Sequence, residues 1–141
     1  MTRTIPQLRR AAGLALALGA ALSLLLSCSA AEKNGIRSVS QDEIVASLGT
    51  AQVPLLLDVR TKREFNSGHL PDALLIPVGE LSERLDEVRQ ASEGREVVVY
   101  CERGARALKA GRDLLSAGFE KVGHLEGDMA AWRTENRPIE R

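Results

Sequence analysis

Short aliphatic runs alternate with amphipathic segments along most of this chain, a pattern that predicts strands interleaved with helices. Leu55–Val59, Leu74–Pro77, Val97–Tyr100 and Lys121–Leu125 read as strands. Val97-Val98-Val99-Tyr100 is the strongest of them, β-branched and uninterrupted. Ser40-Gln41-Asp42-Glu43 matches an S-x-x-E capping box, which opens a helix running to Leu48 and stopped by Gly49. Leu81, Leu85 and Val88 fall at helical spacing and predict a helix over Glu80–Arg89. Another helix is expected from Ala105 to Ala117, closed by Gly118, and Met129, Ala130 and Trp132 lie on a last helical turn ahead of Pro138. Aliphatic strands separated by helices point to an α/β sandwich with a mainly parallel central sheet flanked by helices.

The first residues follow a different pattern. Arg3, Arg9 and Arg10 precede Ala11–Ser27, an uncharged stretch of Ala, Leu, Gly and Ser. A basic head followed by such a run is the mark of a secretory signal, and the run is short for a permanent membrane span. It ends in Leu25-Leu26-Ser27-Cys28, which resembles the lipobox of bacterial lipoproteins. That resemblance implies cleavage after residue 27, a lipid on Cys28 and a domain held outside the cytoplasm; conventional cleavage near Ser29-Ala30-Ala31 is the alternative. Residues 28–37 are expected to be a flexible tether, and residues 38–137 the folded domain.

Composition narrows the field further. A chain of 141 residues has room for one domain. Aromatic residues make up only 3%, so the core must be built from Leu, Val, Ile and Ala. Basic and acidic residues balance at 19 each, but three arginines belong to the leader. The remainder carries a net charge of −3, with no basic stripe to hold nucleic acid. Two cysteines, Cys28 and Cys101, form neither a disulfide framework nor a zinc site, and no metal or cofactor is implied.

Cys101 is the residue that promises chemistry. It follows the strand Val97–Tyr100, and a helix begins a few residues later. Ligands of parallel sheets sit outside the carboxyl ends of the strands. Backbone N–H groups at a helix start favour an anion, and the thiolate is the nucleophilic form of cysteine. Gly104 permits the tight turn, while Arg103 and Arg106 bring positive charge near the sulfur. A small buried cysteine at a strand end is the competing, inert reading.

Three segments carry a family resemblance across residues 36–133. They are Asp58-Val59-Arg60 with Glu64-Phe65 and Gly68-His69-Leu70-Pro71-Asp72-Ala73, then Val98-Val99-Tyr100-Cys101-Glu102-Arg103-Gly104-Ala105-Arg106-Ala107, then Gly118-Phe119, Val122, Leu125-Glu126-Gly127 and Trp132. In this order and spacing the chain resembles a single-domain rhodanese, a sulfurtransferase built as a three-layer α/β sandwich. The resemblance implies that Cys101 carries sulfane sulfur as a persulfide. Glu102, Arg103, Gly104, Ala105 and Arg106 would cradle it, with Asp58 supporting at the neighbouring strand end. Arg60 would either face the pocket or pair with Glu64. The implied partners are a small sulfur-containing anion or persulfide donor and a thiol or cyanide acceptor. His69 is expected in a turn, His124 without a role and Trp132 in the core. Asp72 and Asp128 replace glycines of the family pattern at turns. Glu102 places a carboxylate beside the thiol, which opposes ionisation and repels thiosulfate.

Two other functions compete. A dual-specificity phosphatase places five residues between its cysteine and arginine, whereas Cys101 and Arg106 have four between them. A non-catalytic rhodanese module typically lacks the cysteine that is present here. A self-contained dithiol redox cycle would need a resolving cysteine near Cys101, and none is there.

Overall fold

The computed structural model describes residues 32, 33 and 35–141. The expected signal segment 1–27, Cys28 and tether residues 29–31 and 34 lie outside the described residues. The strands are β1 (Glu32–Lys33), β2 (Ile36–Val39), β3 (Leu55–Asp58), β4 (Leu74–Leu75), β5 (Val97–Tyr100) and β6 (Val122–Leu125). The helices are α1 (Gln41–Ser47), α2 (Lys62–Asn66), α3 (Leu85–Ser92), α4 (Ala105–Ser116) and α5 (Asp128–Thr134), with a 3-10 turn at Leu81–Glu83.

The strands form one sheet in the order β1-β2-β6-β5-β3-β4. Five are mutually parallel, and the short β1 pairs antiparallel with β2. Side chains alternate across the sheet. Leu55, Leu57, Val97 and Val99 enter a core with Val88 of α3 and Ala107, Ala110 and Leu114 of α4. Leu56, Val98 and Tyr100 enter a second core with Ile44 of α1 and Met129 and Trp132 of α5. Helices therefore cover both faces, which is why β3 and β5 are buried at every position and read as unbroken aliphatic runs. The α/β sandwich expected from the sequence is the fold observed.

Differences lie at the margins. Residues 36 and 37, expected in the tether, belong to β2. Ile36 and Val39 are buried, and Arg37 bonds Glu96 and Glu43. The folded region also extends beyond residue 137, because Glu140 pairs with His69 through backbone bonds and Ile139 packs on the second core. The helix expected over Glu80–Arg89 is interrupted at Arg84, whose guanidinium bonds Glu80 on one side and Glu87 on the other. No Pro or Gly marks that break in the sequence. Helix α2 was not foreseen, although Thr61 and Glu64 form a reciprocal capping box that is visible as T-x-x-E.

Trp132 is the largest fully buried side chain, and its indole N–H donates to the Pro138 carbonyl at 2.8 Å. Trp132→Ala should therefore lower unfolding stability by about 3 kcal/mol or more, read from urea denaturation.

Candidate active site

After β3 the chain moves outward to β4 and then returns across β3 to form β5. Strand order thus reverses between β3 and β5, the position where parallel sheets hold ligands. Asp58-Val59-Arg60 leaves the carboxyl end of β3, and Cys101 leaves that of β5.

The cysteine loop is short because α4 begins at Ala105. Gly104 is the residue before it, at φ 95°, a left-handed conformation that side chains resist. This turn aims the Gly104 N–H at the Cys101 sulfur, 3.1 Å away. Among the described residues no side chain caps α4 and no acid occupies its first turn. The partial positive charge of the helix start is left to face the thiol. Cys101 itself is only 2% exposed.

Helix α5 supports the loop from the other side. The Met129 and Ala130 N–H groups donate to the carbonyls of Cys101 and Glu102. The buried Asp128 carboxylate accepts the Cys101 N–H at 2.8 Å, and its second oxygen lies 2.9 Å from His124 Nε2. Neither residue was expected to matter. In the sequence His124 stands alone in its strand, and aspartate is tolerable at the turn position of Asp128. The spacing of four that joins them crosses a strand end, where helical pairing rules do not apply.

Each charged group on the loop has a distinct fate. Arg106 reaches back to α2 and grips Glu64 with two bonds of 2.9 and 2.7 Å. Glu64 is held well below the usual carboxylate range, first by Arg106 and then by Thr61, against the opposing effect of burial. Arg106 is raised above its ordinary value, chiefly by Glu64, with the Cys101 sulfur adding to the effect. Glu102 gives its carboxylate to Arg133 at 2.6 Å and approaches Arg60 at 3.5 Å. The negative charge that threatened the thiolate is therefore matched, and the Glu102 side chain is engaged in structure. Arg103 and Ala105 are exposed.

Arg60 corrects one expectation. It neither faces a pocket nor pairs with Glu64. Its side chain is 0% exposed and is bound by Asp58, with Nη2 at 2.6 Å and Nε at 3.0 Å from both carboxylate oxygens. It also donates to the Gly68 carbonyl at 2.8 Å. Tyr100 lies against this pair: its hydroxyl accepts the Leu70 N–H and is pushed above its ordinary range by burial and by Asp58. Asp58 holds both the backbone N–H and the guanidinium of Arg60 at the end of β3. His69, expected in a turn, instead forms an antiparallel bridge with Glu140; its ring bonds the Phe65 carbonyl and stacks on the Phe65 ring.

Both the sequence and the fold match known proteins. A profile described as the rhodanese-like domain matches residues 40–135. A protein named sulfurtransferase from Allochromatium vinosum is 32% identical, over 74% of this chain and 94% of its own. Thiosulfate sulfurtransferase 18 from Arabidopsis thaliana is 34% identical, over 74% of this chain and 90% of its own. Among solved structures, a Rhodopseudomonas palustris protein described as of unknown function, possible tyrosine phosphatase, superimposes with a TM-score of 0.66 at 26% identity. That match covers 74% of this chain and 85% of the other.

The Glu64–Arg106 bridge ties α2 to the cysteine loop and contributes stability only while Glu64 is ionised. A carboxylate with a depressed folded value stabilises above its ordinary value, 4.5, and loses the contribution as acid protonates it. Wild type should exceed Glu64→Gln by at most about 1 kcal/mol at neutral pH, given the pair's partial exposure. The gap should close as pH falls below 4.5, measured by urea denaturation across pH.

Proposed function

The chain belongs to the rhodanese-like domain family, and from that premise we propose that it is a sulfurtransferase carrying sulfane sulfur as a persulfide on Cys101. The observation that carries this reading is the Gly104 N–H directed at the Cys101 sulfur from the start of an uncapped helix. A donor amide 3.1 Å from the sulfur favours the anion both before and after it takes up a second sulfur.

The thiolate attacks the terminal sulfur of thiosulfate or of a persulfide donor. A sulfur–sulfur bond forms to Cys101, and the donor's bond breaks with its electron pair leaving on sulfite or a thiolate. A thiophilic acceptor such as cyanide or a thiol then takes the outer sulfur, and the electron pair returns to Cys101. The exposed Arg103 supplies charge for an anionic donor. Arg106 is held by Glu64 and reinforces the thiolate at short range. Four residues between Cys101 and Arg106, with the guanidinium already engaged, argue against a phosphate cradle. A purely non-catalytic module would not need this arrangement around a thiol.

We further propose that Cys28 carries a lipid and that the domain works outside the cytoplasm, tethered to a membrane. The support is the basic leader, its uncharged run and the Leu-Leu-Ser-Cys ending.

Treatment of the purified protein with thiosulfate should add one sulfur atom to the Cys101 peptide by mass spectrometry, and cyanide should remove it as thiocyanate. Cys101→Ser should abolish both; unchanged thiocyanate formation in that variant would refute the assignment. For the tether, wild type should partition into detergent or membranes and Cys28→Ala into the aqueous phase. Identical partitioning would exclude lipidation.

A further inference from the structure

Asp128 occupies a backbone position that suits glycine, with φ 52°. Such a conformation is strained for a residue that carries a side chain, and strain of this kind is retained where that side chain is needed. The Asp128 side chain is 3% exposed and both its oxygens are occupied, one by the Cys101 N–H at 2.8 Å and the other by His124 at 2.9 Å. The pair also lies directly beneath Gly104. A methyl group added there would fall 3.1 Å from the second Asp128 oxygen and 3.5 Å from the His124 ring. The two side chains therefore touch the first and fourth residues of the loop, the same two that define the sulfur and its N–H donor.

We infer that Asp128 and His124 are positioning residues for the sulfur-transfer loop, and that the charge on His124 governs how readily the Cys101 thiolate forms. The inference builds on the sulfurtransferase reading but concerns the thiol itself. With His124 protonated the pair is neutral; with His124 neutral it carries one buried negative charge under the loop. A thiolate or persulfide anion above an unmatched carboxylate is disfavoured, so imidazolium and thiolate stabilise one another. Imidazole is the side chain that ordinarily changes charge in the range of roughly pH 5 to 8.

Most other charged groups near the pair have hydrogen-bond partners of their own. On the loop, Glu102 is bound by Arg133 of α5, and Arg106 by Glu64 of α2. On the turn after β6, Glu126 accepts the Ser38 hydroxyl of β2, where Ser38 is also the register neighbour of His124. On β5 the register neighbour is Val99, which is apolar. From α1, Gln41 is neutral and donates to the Glu126 carbonyl. Asp58, at the end of β3, is neutralised by Arg60.

Two conservative variants separate charge from shape. Asp128→Asn keeps an oxygen for the Cys101 N–H, tolerates the left-handed backbone and removes the charge. His124→Gln keeps an N–H donor for Asp128 but never becomes a cation. Thiolate formation is followed in the full-length protein as the ultraviolet absorbance difference from Cys101→Ser across pH, which cancels any contribution of Cys28. Asp128→Asn should move the transition to lower pH and His124→Gln to higher pH. At fixed pH within the transition, the thiolate-to-thiol ratio should differ by about tenfold between the two variants, with wild type between them. The double variant should follow Asp128→Asn. Shifts in the same direction, or transitions that coincide in the two folded variants, would overturn the inference. Because this readout needs no sulfur donor, its failure is distinct from a failure of thiosulfate to load Cys101. Loss of loading with opposite shifts intact would refute the sulfurtransferase reading alone.

Discussion

The buried ion pair of Asp58 and Arg60 anchors the end of the sheet that carries the cysteine loop. Two full charges taken from water must recover their hydration within the protein, and any bond left unmade there costs more than the same bond at the surface. Asp58 accepts the Arg60 backbone N–H as well as its guanidinium, so the chain is forced to turn immediately after β3. Arg60 reaches across to the Gly68 carbonyl, fixing the turn that carries Leu70 to the Tyr100 hydroxyl. Its remaining nitrogen approaches Glu102 on the cysteine loop. A single desolvated pair thus joins the ends of β3 and β5 and the segment leading to β4. Removal of one partner alone would leave an uncompensated charge in the core, a loss of several kcal/mol in comparable pairs.

Around that anchor the cysteine loop is braced from three directions. Helix α2 holds Arg106 through Glu64, and α5 holds Cys101 and Glu102 through its first amides and Asp128. Arg133 returns from the same helix to neutralise Glu102. The loop is also constrained from within, since Gly104 must adopt a conformation that only glycine takes easily. A donor amide held in this way needs no rearrangement when charge develops on the sulfur, which is the essence of electrostatic preorganisation.

Much of this was legible from residue patterns. Strands β3 and β5 announced themselves because both of their faces are buried, so each is aliphatic throughout. Cys101 and Gly104 stood out because strand end, cysteine, glycine and helix start occur in that order within a few residues. Pairings between distant segments could not be read in this way. Arg60 has Glu64 at helical spacing, yet it turns to Asp58 two residues back, while Glu64 joins Arg106, 42 residues away. Nothing local ranks these choices; the sheet decides them by bringing the ends of β3 and β5 together. Asp128 was hidden for a related reason. A turn position tolerates aspartate on backbone grounds, and only the packed structure reveals that its two oxygens bridge a strand and a loop.

The near-complete burial of Cys101 has a kinetic consequence. Among the described residues it is the only free cysteine, and it is almost wholly enclosed. In the chemistry proposed here, donor and acceptor must both reach that one sulfur atom and cannot do so together. They must alternate, each meeting a different covalent form of the protein, so each in excess would obstruct the other. Initial-rate lines for one substrate at several levels of the other would then run parallel instead of converging, because the two never share a ternary complex.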